Sequence, residues 1–141
     1  MGDFRGMAYG LIGVSGDYAE KGMLREALDS AEKGLSLAEQ LDEKLLISLS
    51  HNNMGVIMGK KSLWEKADEC FNTSIRIASE IGGIERLANA HVDYAKMLKE
   101  KGDLREAKTQ YRNALKGYMK IGNKMKIKEI MYDLAGIERK V

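Results

Sequence analysis

Apolar residues recur along most of the chain at the spacing of a helix with one buried face. In "LREALDSAEKGLSLAEQL", Leu24, Ala27, Leu28, Ala31, Leu35, Ala38 and Leu41 share one broad stripe. In "LREAKTQYRNALKGYMKI", Leu104, Ala107, Tyr111, Ala114, Leu115, Tyr118 and Ile121 do the same. Both stripes follow the i, i+3, i+4, i+7 rule of an amphipathic helix. Strand-like runs of β-branched and aromatic residues are missing, and there is no proline. Breaks fall at Gly22, Asp42, Lys61–Ser62, Gly82–Gly83, Gly102 and Gly122–Asn123. They predict about seven helices of roughly 16 to 19 residues joined by very short turns. The chain is expected to be all-α.

The stripes repeat. With Ala27 placed over Ala67 and Ala107, the rest of the chain aligns at a period of 40. Leu24, Trp64 and Leu104 open the second helix of each unit, and Ala31, Phe71 and Tyr111 follow two turns later. Ser15, Gly55, Ala95 and Ala135 form a column of small residues in the first helices. Met7, Ile47, Leu87 and Ile127 form a column of large apolar ones. Small residues in each first helix and an alanine in each second helix let the two approach closely. Such units cannot bury their apolar faces alone and must stack.

This pattern resembles the tetratricopeptide repeat family, in a long-helix form with the 40-residue period. Its small first-helix residue is matched by Gly55 and Ala95 and less well by Ser15; its turn glycine is matched by Gly22 and Gly102. Its second-helix alanine is matched by Ala27, Ala67 and Ala107, and its following aromatic by Phe71 and Tyr111, with Ala31 a departure. The closing alanine is Ala114 in the third repeat but Gly34 and Ser74 in the others. The family's early tryptophan and terminal proline are both absent. The resemblance implies a right-handed α-solenoid with a concave groove lined by first helices. A single domain over residues 1–141 is expected, with repeats at about 4–41, 44–81 and 84–121 and a C-terminal capping helix at about 124–140. That last helix is expected to bury one stripe (Ile127, Ile130, Met131, Leu134, Ile137) and to be polar elsewhere.

Composition narrows the function classes. The 23 Lys and Arg against 21 Asp and Glu leave a net charge of +2, which does not suggest a nucleic-acid partner. Cys70 is the only cysteine, so neither an internal disulfide nor a cysteine metal cluster is expected. No apolar run approaches a membrane span and the N-terminus lacks a signal peptide's layout, so a cytoplasmic protein with no membrane partner is expected.

Candidate chemistry is thin. "GVIMGKKS" has three residues between its glycines where a phosphate loop has four, and Lys61 stands where Ser or Thr should hold magnesium. His51 and His91 share a column with Leu11 and Met131 and face the packed layer. No carboxylate or cysteine accompanies them at ligand spacing. Neither a cofactor nor a metal is expected, and the chain is not expected to be an enzyme. The first helix carries Gly6, Gly10, Gly13 and Gly16, each costing roughly 1 kcal/mol relative to alanine. They fit a weakly held helix, or one that another backbone approaches closely.

The resemblance also places candidate binding residues. Asn52 and Asn53, a poor pair for a helix interior, fall on groove positions in the family register. So do Val56, Asn89, Val92, Asp93, Lys96 and Tyr132. Asparagine amides could grip a peptide backbone, with Val56, Val92 and Tyr132 offering apolar pockets. The positions that clamp the terminal carboxylate of chaperone tails in this family read Ile12, Gly16, Asn53, Asn89 and Asp93 here, and only Asn53 fits. The expected function is a non-catalytic scaffold for a peptide or partner protein. The alternatives are a module that self-assembles through its ends, or a regulatory part of a larger enzyme or transcription regulator. Charge bears on self-assembly: Asp17–Glu43 holds eight acidic and three basic residues, whereas Lys116–Val141 holds seven basic and three acidic.

Overall fold

The structure, a computed structural model, describes residues 3–140 and places seven α-helices and no strand within them. They are α1 (Phe4–Glu20), α2 (Leu24–Gln40), α3 (Lys44–Lys60), α4 (Trp64–Ile81), α5 (Ile84–Lys101), α6 (Leu104–Ile121) and α7 (Lys124–Glu138). Every predicted break is a two-residue turn or close to it. At each, one residue takes the left-handed conformation: Gly22, Asp42, Ser62, Gly82, Gly102 and Gly122, with φ from 52° at Asp42 to 95° at Gly102. The next amide then donates back into the preceding helix, from Met23 to the Tyr18 carbonyl, Leu63 to Met58 and Asp103 to Leu98, each at 2.9 Å. These bonds satisfy carbonyls that a helix end otherwise leaves unpaired.

Packing divides the chain into two compact units, Met1–Ile81 and Gly82–Val141, where the period alone predicts one continuous domain. In the first unit, α1 pairs with α2 and α3 with α4, while α2 also packs on α3 and α1 touches it. One core cluster gathers Ala8, Ile12, Ala38 and Leu46, and a second gathers Ala19, Ala27, Ala31 and Ile57. Small residues set the crossings. A Cβ at Gly55 would lie 2.9 Å from the buried Phe71 ring. At the α3–α4 crossing, Ser48 Oγ donates to the Ser74 carbonyl (3.0 Å) and Ser74 Oγ to the Ser48 carbonyl (2.8 Å). In the second unit, α5 pairs with α6 and α7 packs on α6. Ala95, Ala107, Tyr111, Ala114, Tyr118, Ile130 and Ile137 are buried there. Glu138 fastens the end of α7 to α6 through Lys108 (3.3 Å) and Arg112 (3.6 Å).

The columns of the repeat are not equivalent at the ends. Ser15, Gly55 and Ala95 are buried, Gly55 against Phe71 of α4, whereas Ala135 is exposed. Helix α7 has no second helix of its own among the described residues. Its outer surface also departs from the expected polar cap. Met125, Met131 and Tyr132 are 71%, 57% and 74% exposed, so Met131 leaves the buried stripe and a second apolar face appears. On α1, Met7 is 53% exposed although its column-mate Ile47 packs against a core cluster.

Candidate functional site

The asparagine pair of α3 is drawn inward. Asn53 Nδ2 donates to the Ile12 carbonyl at 2.8 Å and to Ser15 Oγ at 3.0 Å, and Ser15 Oγ donates to the same carbonyl at 2.7 Å. Asn53 thereby ties α3 to α1. Asn52 is only 3% exposed, too enclosed to grip an external peptide. Against the expectation of two amides on a groove surface, Asn52 is enclosed, while Asn53 is half-buried with its Nδ2 group bonded to α1. Val56 is half-buried beside them, and Ile12, another expected groove position, lies in the core.

In the second unit the expected residues separate by burial. Val92 is 9% exposed, so it lies inside the packing and offers no open pocket. The Asn89 side-chain carbonyl is taken by the Tyr118 hydroxyl, which donates to it. Burial foremost, with Asp93 next, pushes the Tyr118 hydroxyl up to about 12, so it remains a donor at neutral pH. Asp93 is half-buried, while Lys96 and Tyr132 are exposed.

Those two exposed residues belong to one continuous depression between α5 and α7. A cleft of about 560 Å³ is lined by Lys96, Met125, Lys128, Glu129, Tyr132 and Asp133. An adjoining cleft of about 590 Å³ is lined by Lys96, Asp133, Lys99, Lys140, Tyr111 and Leu104 among others. Lys96 and Asp133 lie where the two meet. Asp133 is held by a hydrogen bond to Tyr111, whose own titration is driven up first by burial and then by that carboxylate. One end is therefore walled by Met125 and Tyr132 with Lys128 and Glu129 beside them. The other carries the ammonium groups of Lys96, Lys99 and Lys140 together with the carboxylates of Glu100 and Asp133.

Sequence reasoning missed Met125 and Lys128, because α7 reads as a cap whose outer side meets nothing. Arg86, also missed, is half-buried, and its Nε and Nη2 have no hydrogen-bond partner within the described residues. Burial lowers its guanidinium, and Asp93 and Tyr118 raise it again. Two such N–H groups without protein partners are unusual for so polar a side chain, and no pattern in the sequence announces them.

The histidines fall in the packing layer. His91 Nδ1 lies 2.7 Å from Gln110 Oε1, and Gln110 Nε2 donates to Glu106 Oε1 at 2.9 Å. The amide orientation makes His91 the donor, so Nδ1 carries the ring proton. Burial lowers the pKa of His91, partly offset by the Gln110 bond. Burial also lowers that of His51, where Glu39 opposes the shift and Arg76 adds to it. No group of three His, Cys, Asp or Glu side chains among the described residues is placed to share a metal ion. None of the described helices is long and apolar enough to cross a membrane.

Paired helices with left-handed turns, small residues at each crossing and a 40-residue period define a helical-repeat protein. The family model for the tetratricopeptide repeat matches residues 45–120, and the chain belongs to that family. No curated protein matches it. Repeats of this family mediate protein–protein interaction and are typically non-catalytic scaffolds.

Proposed function

We propose that the chain is a non-catalytic interaction module that holds a peptide segment of a partner protein in the depression between α5 and α7. The observation that carries this reading is the pair of adjoining clefts, about 560 and 590 Å³, sharing Lys96 and Asp133. An open depression of this length suits an extended segment better than a compact small molecule, which would be largely enclosed. Its chemistry favours a segment with a large apolar side chain for the Met125–Tyr132 end. Acidic residues would face Lys96, Lys99 and Lys140 at the other end. Of the groove residues expected from sequence, Lys96 and Tyr132 line these clefts, and Asp93 is not among their lining residues. Asn52, Asn53 and Val92 serve the packing.

Affinity capture from a lysate tests it, comparing the wild-type chain with Lys96→Glu and with Tyr132→Ala. Both side chains are exposed, so the variants should retain full helicity by circular dichroism. A partner held by the wild type and lost from both variants is the expected result. An unchanged set of captured proteins overturns the reading.

A further inference from the structure

Helices α1 and α7 each present a five-residue stripe of exposed residues, and the stripes match. On α1 and its cap the stripe is Asp3, Met7, Gly10, Val14 and Asp17; all five are exposed. On α7 and its cap it is Met125, Lys128, Tyr132, Ala135 and Arg139, again all exposed. Both follow alternating steps of three and four residues, the seam along which two helices pack lengthwise. Their charges are opposite: two carboxylates on one, an ammonium and a guanidinium on the other. From Asp3 to Glu20 there are three acidic residues and one basic, and from Lys124 to Lys140 five basic and three acidic.

Shape agrees with charge. Gly10 is the middle position of the α1 stripe, and a Cβ built there meets nothing within 4 Å. No contact among the described residues requires glycine at that place. Tyr132, 74% exposed, is the middle position of the α7 stripe. Whichever way the helices run, aligning the stripes sets the tyrosine opposite the glycine, a large side chain over a notch. A second α7 would bring like charges together instead.

We infer that the chain associates with a second copy of itself, α1 of one molecule lying along α7 of the next. The contact is heterologous, so each bound pair still has one free α1 and one free α7, and growth continues unless a ring closes. The inference stands apart from peptide binding, although Met125 and Tyr132 serve both surfaces, so a bound peptide competes with a second copy. One helix pair is a small interface, and weak association follows.

Sedimentation velocity on the full chain, without any peptide, from roughly 10 μM to about 1 mM tests this. The average mass is expected to rise with concentration and to fall back as salt screens the charges. Two variants separate the geometries. Gly10→Lys fills the notch on α1, and Ala135→Lys blocks the α7 stripe; both lie at open positions, so the fold is retained. Each variant alone is expected to stay monomeric to concentrations about tenfold higher than the wild type. Their equimolar mixture is expected to form a dimer and stop there, because only one intact α1 and one intact α7 remain per pair. A wild type that is monomeric throughout overturns the inference. So does a Gly10→Lys variant that dimerises alone, which indicates an α7–α7 contact.

Discussion

Asn53 sits in the middle of a helix, where an amide side chain competes for backbone groups, and the reason lies 41 residues away at Ile12. Its amide bonds a carbonyl and a hydroxyl of α1, so its work is to hold two first helices together. Asn53→Ala is expected to lower the stability of the fold by about 1 kcal/mol, the usual net worth of such a bond. Urea unfolding of the two proteins measures the difference, and an unchanged midpoint would mean that the amide is merely solvated. The sequence makes this residue conspicuous but does not name its partner. Helical spacing says that Asn53 is off the main apolar stripe; it does not say which neighbouring helix crosses there. The same limit applies to Asn52, where the family register points to a surface and the packing encloses it. Lys96 and Tyr132 were easier to place, because long or aromatic polar-tipped side chains between core positions have few routes except outward.

At the level of the element, the turns carry most of the pattern. Four of the six left-handed positions are glycine, and the other two are Asp42 and Ser62. A left-handed residue with a Cβ is strained, and serine lacks the tolerance that aspartate shows there. Ser62→Gly is therefore expected to stabilise the protein by about 0.5–1 kcal/mol, after allowing for the greater freedom glycine gives the unfolded chain. A rise in the thermal midpoint relative to wild type is the check, with Lys61→Gly, one residue outside the left-handed position, expected to lower it. The seven helices were legible because apolar spacing and turn residues agree at every boundary. The outer face of α7 was not. Met125 and Met131 read as parts of an ordinary amphipathic pattern, and only their exposure in the structure shows that they lie on an uncovered face.

For the molecule as a whole, the two histidines link stability to pH. Burial lowers the pKa of both His51 and His91 in the folded state below the value of 6.5. The unfolded chain therefore binds protons more readily than the folded one as pH drops through that region, and stability falls with it. The contribution is fully present above 6.5 and is lost as pH falls through the lower folded values. Thermal midpoints between pH 8 and pH 5 are expected to decline on the acid side. His91→Gln should flatten part of that decline, because an amide can keep the bond to Gln110 without taking up a proton. A variant whose midpoint falls as steeply as the wild type would assign the effect to other groups. The histidine column was visible in the repeat, but the Glu106–Gln110–His91 chain was not, since it joins two helices whose mutual rotation spacing alone does not set.

Every strongly packed pair of helices consists of neighbours in the chain or, for α1 and α3, next neighbours. Few long loops must close before a contact forms, and topologies of this kind reach the native state in microseconds to milliseconds. The α1–α2 hairpin needs nothing beyond Gln40 to complete its own contacts. Order can thus begin at the ribosome, with α2 docking on α1 while the rest of the polypeptide is still being made.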